Sequence, residues 1–150
     1  MLKKYHEYFM LNKNILIAFV VSLVISAIVA QILSDQKDFL NTSYTLIVDF
    51  IVYFSVLVGL YYFDNRKKYL LESGLTDKLK FRHDLIKIIT SLGIGEVVYT
   101  IVRWFLQYYL LKLNYEAYLA SIVSQVISII ICLLVINLSV KMTGLYKDGN

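Results

Sequence analysis

The sequence predicts an all-α, polytopic membrane protein with four transmembrane helices, and three observations carry that expectation. The 150 residues are 59% hydrophobic and 17% charged, with a mean hydropathy of +0.65, too apolar for a soluble domain of this size. The apolar residues gather into four runs, 15–33, 44–63, 87–111 and 117–140. Each run approximates the ~20 residues that a helix rising ~1.5 Å per residue needs to cross the hydrocarbon. Proline is absent, so nothing obliges any run to break. The runs fill most of the chain as one domain and leave no room for a soluble nucleotide-binding or hydrolase fold.

Residues 1 to 14 mix Lys, Tyr, His and Phe and read as an interfacial, helical lead-in. The first run is longer than a signal-peptide core, lacks a small-residue cleavage pattern and ends in Gln31, Ser34 and Asp35, so it is expected to stay in the mature protein. Along it Ala18, Ser22, Ser26 and Ala30 recur every four residues. Such a ridge of small side chains lets another helix approach closely. A short polar outer loop, 34–43, follows. The second run holds a single charge, Asp49, about two turns in from its outer end, and Ser55 with Gly59 offers a further close-packing pair.

Segment 64–84 is expected to be an amphipathic cytoplasmic loop. In it Leu71, Leu75 and Leu79 fall at i, i+4 and i+8 and suggest a short helix on the inner leaflet, interrupted near Gly74. The third run opens with Ser91, Gly93 and Gly95, a weak place where the helix can bend or admit a neighbour. Glu96, Tyr99, Thr100 and Arg103 then share one face at i, i+3, i+4 and i+7. An ionised group at this depth costs at least ~2.5 kcal/mol, so these residues are expected to turn inward and find partners. Arg103 and Asp49 lie at similar depths on opposite-running helices and are expected to pair, with outward snorkelling of Arg103 past Trp104 and Tyr108 as the competing reading. The fourth run carries Ser121, Gln125, Ser128 and Cys132 on one face, with Ala120, Ser124 and Ser128 as another small ridge. Asp49, Glu96, Arg103 and Gln125 are therefore the candidate intramembrane polar cluster. Ala18, Ser22, Ser26, Ala30, Gly93, Ala120, Ser124 and Ser128 are the candidate packing positions.

Net charge is +4, and its placement speaks to topology. Lys and Arg concentrate before the first run, in 66–82 and after the fourth, while the other two loops carry only Lys37 and Lys112. By the positive-inside rule both termini and the central loop are cytoplasmic in a cell membrane. Contact with anionic headgroups accounts for the basic residues, and nucleic acid is not an expected partner. The two histidines, His6 and His83, lie in separate inner segments and the lone Cys132 lies within a helix, so neither a metal ligand set nor a cofactor is expected. No nucleophile with a base and an orienting group can be assembled, so the chain by itself is not expected to be an enzyme.

The halves repeat a plan of helix, short outer loop, helix and basic inner segment. Val24, Ile25, Ile28, Val29 and Leu33 can be laid on Val97, Val98, Ile101, Val102 and Leu106, consistent with two parallel two-helix repeats. The fourth helix ends in Asn137, an apolar stretch, Lys141 and Tyr146, and the second in Asn65, Arg66, Lys67, Lys68 and Tyr69. In layout and in these endings the chain resembles the GtrA-like family of small four-helix membrane proteins, although the tryptophan usual before the last aromatic is absent. That resemblance implies a carrier or flippase-like protein for polyprenyl-linked sugars or another small polar substrate. The residues themselves favour an accessory or structural subunit of a larger membrane complex, one that could carry an enzyme, with the lipid bilayer and other subunits or a self-oligomer as partners.

Overall fold

A computed structural model describes the backbone of residues 2–143 and the side chains of residues 9–134 other than 11, 12, 91, 94 and 133; the side chains of Asn137 and Lys141 fall outside the described residues. The fold is all-helical: α1 (Leu2–Ile32), α2 (Asp38–Asn65), a 3-10 turn (Arg66–Tyr69), α3 (Lys78–Lys112) and α4 (Ala117–Thr143). Each helix packs on its sequence neighbour, and α4 closes back on α1. Contacts such as Ser26 with Asp49 and Asn14 with Asp64 show α1 and α2 running antiparallel. Two stretches, Lys13–Ile32 and Asp38–Tyr69, are long and apolar enough to cross a membrane. A third exists if the two parts of α3, Lys78–Thr90 and Gly95–Lys112, inclined to each other by 56°, form one span. Ala117–Cys132 is apolar but shorter over its described residues.

The helices begin earlier than the apolar runs, for local reasons. The lead-in continues directly into α1. Asp38 places a carboxylate in the first turn of α2, where it complements the helix dipole. The Asp77 side chain accepts the Lys80 amide at 3.0 Å and so starts α3 ahead of its apolar part. Asn114, with φ of 61°, takes the left-handed conformation that ends a helix, and the turn to α4 follows.

Three expectations are corrected. Leu71 and Leu75 do not lie on a helix: the chain makes a tight turn there, with the Leu71 amide bonded to the Leu75 carbonyl at 2.8 Å and a lone bridge between Leu70 and Thr76. Gly74, at φ of 77°, is the residue that permits the turn. Gly93 makes no close approach within this chain, since a Cβ there would meet no atom within 4 Å; it lies in the bent part of α3. Ser55 and Gly59 face outward, and Gly59 likewise meets nothing.

Polarity is inverted relative to a water-soluble bundle. Ala18, Ser22, Ser26 and Ala30 on α1 and Ala120, Ser121, Ser124 and Ser128 on α4 are all 0–1% exposed. Large apolar side chains such as Val20, Ile51, Ile101 and Ile130 are each more than half exposed. Small and polar residues thus set close helix approach inside, and branched aliphatics cover the outside, the arrangement that lipid rewards.

Candidate functional site

Each helix contributes to the interior through residues four apart. On α2 these are Asn41, Thr45, Asp49, Tyr53 and Leu57; on α3 they are Tyr99, Arg103 and Gln107, all buried. Because α2 and α3 run in opposite directions, the start of α2 meets the later turns of α3. Gln107 donates to Asn41 at 3.4 Å, and Trp104 reaches Ser43 at 3.2 Å. One layer inward, Arg103 and Asp49 form an ion pair from which solvent is excluded.

Asp49 is the most fully bonded group of the interior. Its Oδ1 accepts the Ser26 hydroxyl at 3.0 Å, and its Oδ2 accepts the Tyr99 hydroxyl at 3.3 Å as well as the Arg103 guanidinium. Three helices therefore converge on one carboxylate. The Tyr99 ring also lies beneath Arg103, with its centroid 5.9 Å from the guanidinium carbon. Arg103 is 0% exposed and does not extend past Trp104 and Tyr108 to the outer surface. Apart from the ion pair, its nitrogens have no acceptor among the described residues, and Gln107 Oε1, Gln125 Oε1 and Thr42 Oγ1 likewise lack donors there.

Glu96 lies one further layer inward, facing Tyr53 and close to Asp49. A partly open cavity of about 50 Å³ runs among Ser22, Asp49, Tyr53, Glu96 and Tyr99, with Phe19 on its apolar side. That volume suits about three water molecules on the usual allowance of ~15 Å³ each. Below it Leu57, Ala18 and Tyr53 form an apolar plug with Ile15, Phe19 and Leu92 packed against it. Where the start of α1 meets the end of α2, Asn14 and Lys13 bond the Asp64 carboxylate at 2.9 and 3.4 Å.

Of the four residues singled out from the sequence, the fold joins Asp49 to Arg103 and sets Glu96 on the same cavity as Asp49. Gln125 is buried but donates within its own helix, to Ser121 at 3.3 Å, and makes no recorded bond to Glu96 or Arg103. The thiol of Cys132 donates to the Gly95 carbonyl at 3.1 Å, which ties α4 to the bent part of α3. Asn41, Thr45 and Gln107 are interior groups that the reading of the sequence missed. The four-residue ladder through Asp49 is their signal, but placing 34–43 in a loop removed Asn41 from it.

A second cluster joins the 3-10 turn to the first turns of α3, away from the Asp49 cavity. Lys68 and the Tyr69 hydroxyl both donate to Asp84, at 2.8 and 2.9 Å, and Tyr69 also meets the Tyr61 hydroxyl at 2.9 Å. The Lys68 bond, foremost, holds the Asp84 carboxyl below the usual carboxylate range. Among the described residues no group of three or more His, Cys, Asp or Glu is placed to hold a metal ion. Comparison of the chain with protein-family models, with curated proteins and with solved structures gives no match.

Proposed function

We propose that this chain is a non-catalytic integral membrane protein that serves as an accessory or structural subunit of a larger membrane complex. In this reading all four helices cross the bilayer, and both termini and the 64–84 segment face the cytoplasm. The observation that carries it is the size of the interior space. Pockets that hold small molecules run from ~300 to ~1,000 Å³. The cavity beside Asp49 is about 50 Å³, and two of its polar walls, Asp49 and Tyr99, are bonded to each other. Such an interior specifies how helices assemble and has no room for a sugar. The outer surface, by contrast, offers exposed aromatics from Phe39, Phe105, Tyr109 and Tyr118 for contacts in the plane of the membrane.

The test is purification of the chain, with its surrounding lipid, from its native membrane. A second membrane protein retained at constant ratio through two unlike separation steps is the expected result. A particle containing this chain alone overturns the subunit reading.

A carrier of the GtrA-like kind is the second reading, and one observation favours it: α3 bends by 56° between Thr90 and Gly95, immediately beside Glu96. A hinge next to an intramembrane carboxyl is the element a carrier needs to change access. Substrate-dependent quenching of Trp104 fluorescence in vesicles containing only this chain would favour it, and an unchanged signal would not.

A further inference from the structure

Glu96 borders two spaces. One is the cavity beside Asp49; the other is an open groove of about 270 Å³ between α2 and α3, walled by Phe50, Phe54, Val97 and Ile101 with Thr100 beside it. Of the neighbouring pairs among the four long helices, α2 and α3 touch least. The Thr100 hydroxyl is already committed to the Glu96 backbone carbonyl at 2.6 Å, so the Glu96 carboxyl is the polar group the groove can offer. Among the described residues the polar side chains that line the cavity with it are Ser22, Asp49, Tyr53, Tyr99 and Cys132, and none is a cation.

We infer that this groove is the seat of a transmembrane helix from a partner subunit, and that the helix brings a lysine or arginine to Glu96. The inference rests on the subunit reading and names the surface that reading requires. Depth selects the occupant. Glu96 is level with Tyr53, nine residues from Tyr44 and ten from Phe63, so about 14 Å of helix separates it from either end of that span. Acyl chains match the apolar walls but bring no donor, and lipid headgroups stay at the interface. A charged side chain carried on a helix reaches that depth and is tolerated there when paired with an opposite charge. Aromatic and branched walls then receive the faces of that helix above and below the pair.

A photoreactive amino acid placed at Val97 or Ile101, 60% and 53% exposed, tests the groove against Ile28, 54% exposed on α1. The protein is expressed in its own host, irradiated in the native membrane and purified. Positions 97 and 101 are expected to cross-link to one membrane protein, with position 28 giving at least about 10-fold less. Glu96→Gln, which keeps the shape and removes the charge, is expected to lower retention of that protein by about 10-fold. Thermal unfolding of the purified Glu96→Gln chain is expected to stay at the wild-type midpoint, which separates a lost partner from a lost fold. Cross-links to lipid alone, to a second copy of this chain, or equally from position 28 overturn the groove while a co-purifying partner leaves the subunit reading standing. Unchanged retention of the partner by Glu96→Gln overturns the charge pairing, and a particle of this chain alone overturns the subunit reading and the groove together.

Discussion

Asp49 was legible in the sequence as a charge that must find a partner, and its depth pointed to Arg103. What the linear pattern could not supply was the rest of the shell. Ser26 and Tyr99 reach Asp49 only because α1 and α3 lie on either side of α2, a tertiary fact. The small ridge on α1 was readable from its spacing of four, and Ser26 occupies it at 0% exposure. Ser26→Leu forces a branched side chain into that contact and removes a donor from Asp49. It is expected to destabilise the bundle by about 2–3 kcal/mol, with Ser26→Ala costing about 1 kcal/mol, as read from unfolding in bilayer discs. Equal effects of the two substitutions would mean that close approach of α1 and α2 does not matter.

At the scale of elements, the four helices could be read from hydropathy alone, but their boundaries could not. Caps and charged first turns at Asp38 and Asp77 extend α2 and α3 beyond their apolar cores. The leucine pattern at 71, 75 and 79 has helical spacing, yet Gly74 and the Leu71 to Leu75 bond turn the chain instead. Gly74→Ala places a Cβ in the left-handed region and is expected to cost about 1 kcal/mol, visible as faster amide exchange at Gly74 and Leu71. The bond network at Asp84 makes a pH prediction. A carboxyl held below its ordinary value contributes stability that is present above the ordinary range and is lost as pH falls through its lowered value. The protection factor of the Asp77 amide, which bonds the Tyr69 carbonyl, taken after correction for the intrinsic pH dependence of exchange, should therefore fall on acidification below about pH 4 and stay level from pH 5 to 8. An onset near pH 6 would assign the change to another group.

For the molecule as a whole, the inverted distribution of polarity is the feature that unites sequence and fold. Serines, alanines, an Asp and an Arg face inward, and exposed valines, isoleucines and phenylalanines face outward. Two or three of the helices are long and apolar enough to cross a membrane. The central claim is that this polar interior holds the helices to one another and is not a ligand site. The Asp49 and Arg103 pair tests it most directly, because losing one partner of a buried ion pair costs about 3–5 kcal/mol while replacing both by apolar residues costs far less. The decisive measurement is the unfolding free energy, in bilayer discs, of Arg103→Leu, Asp49→Leu and the double substitution. Each single change is expected to lose at least about 3 kcal/mol, and the double to recover at least half of the larger loss. Single variants as stable as the wild type, or a double variant no more stable than the worse single one, would contradict the claim.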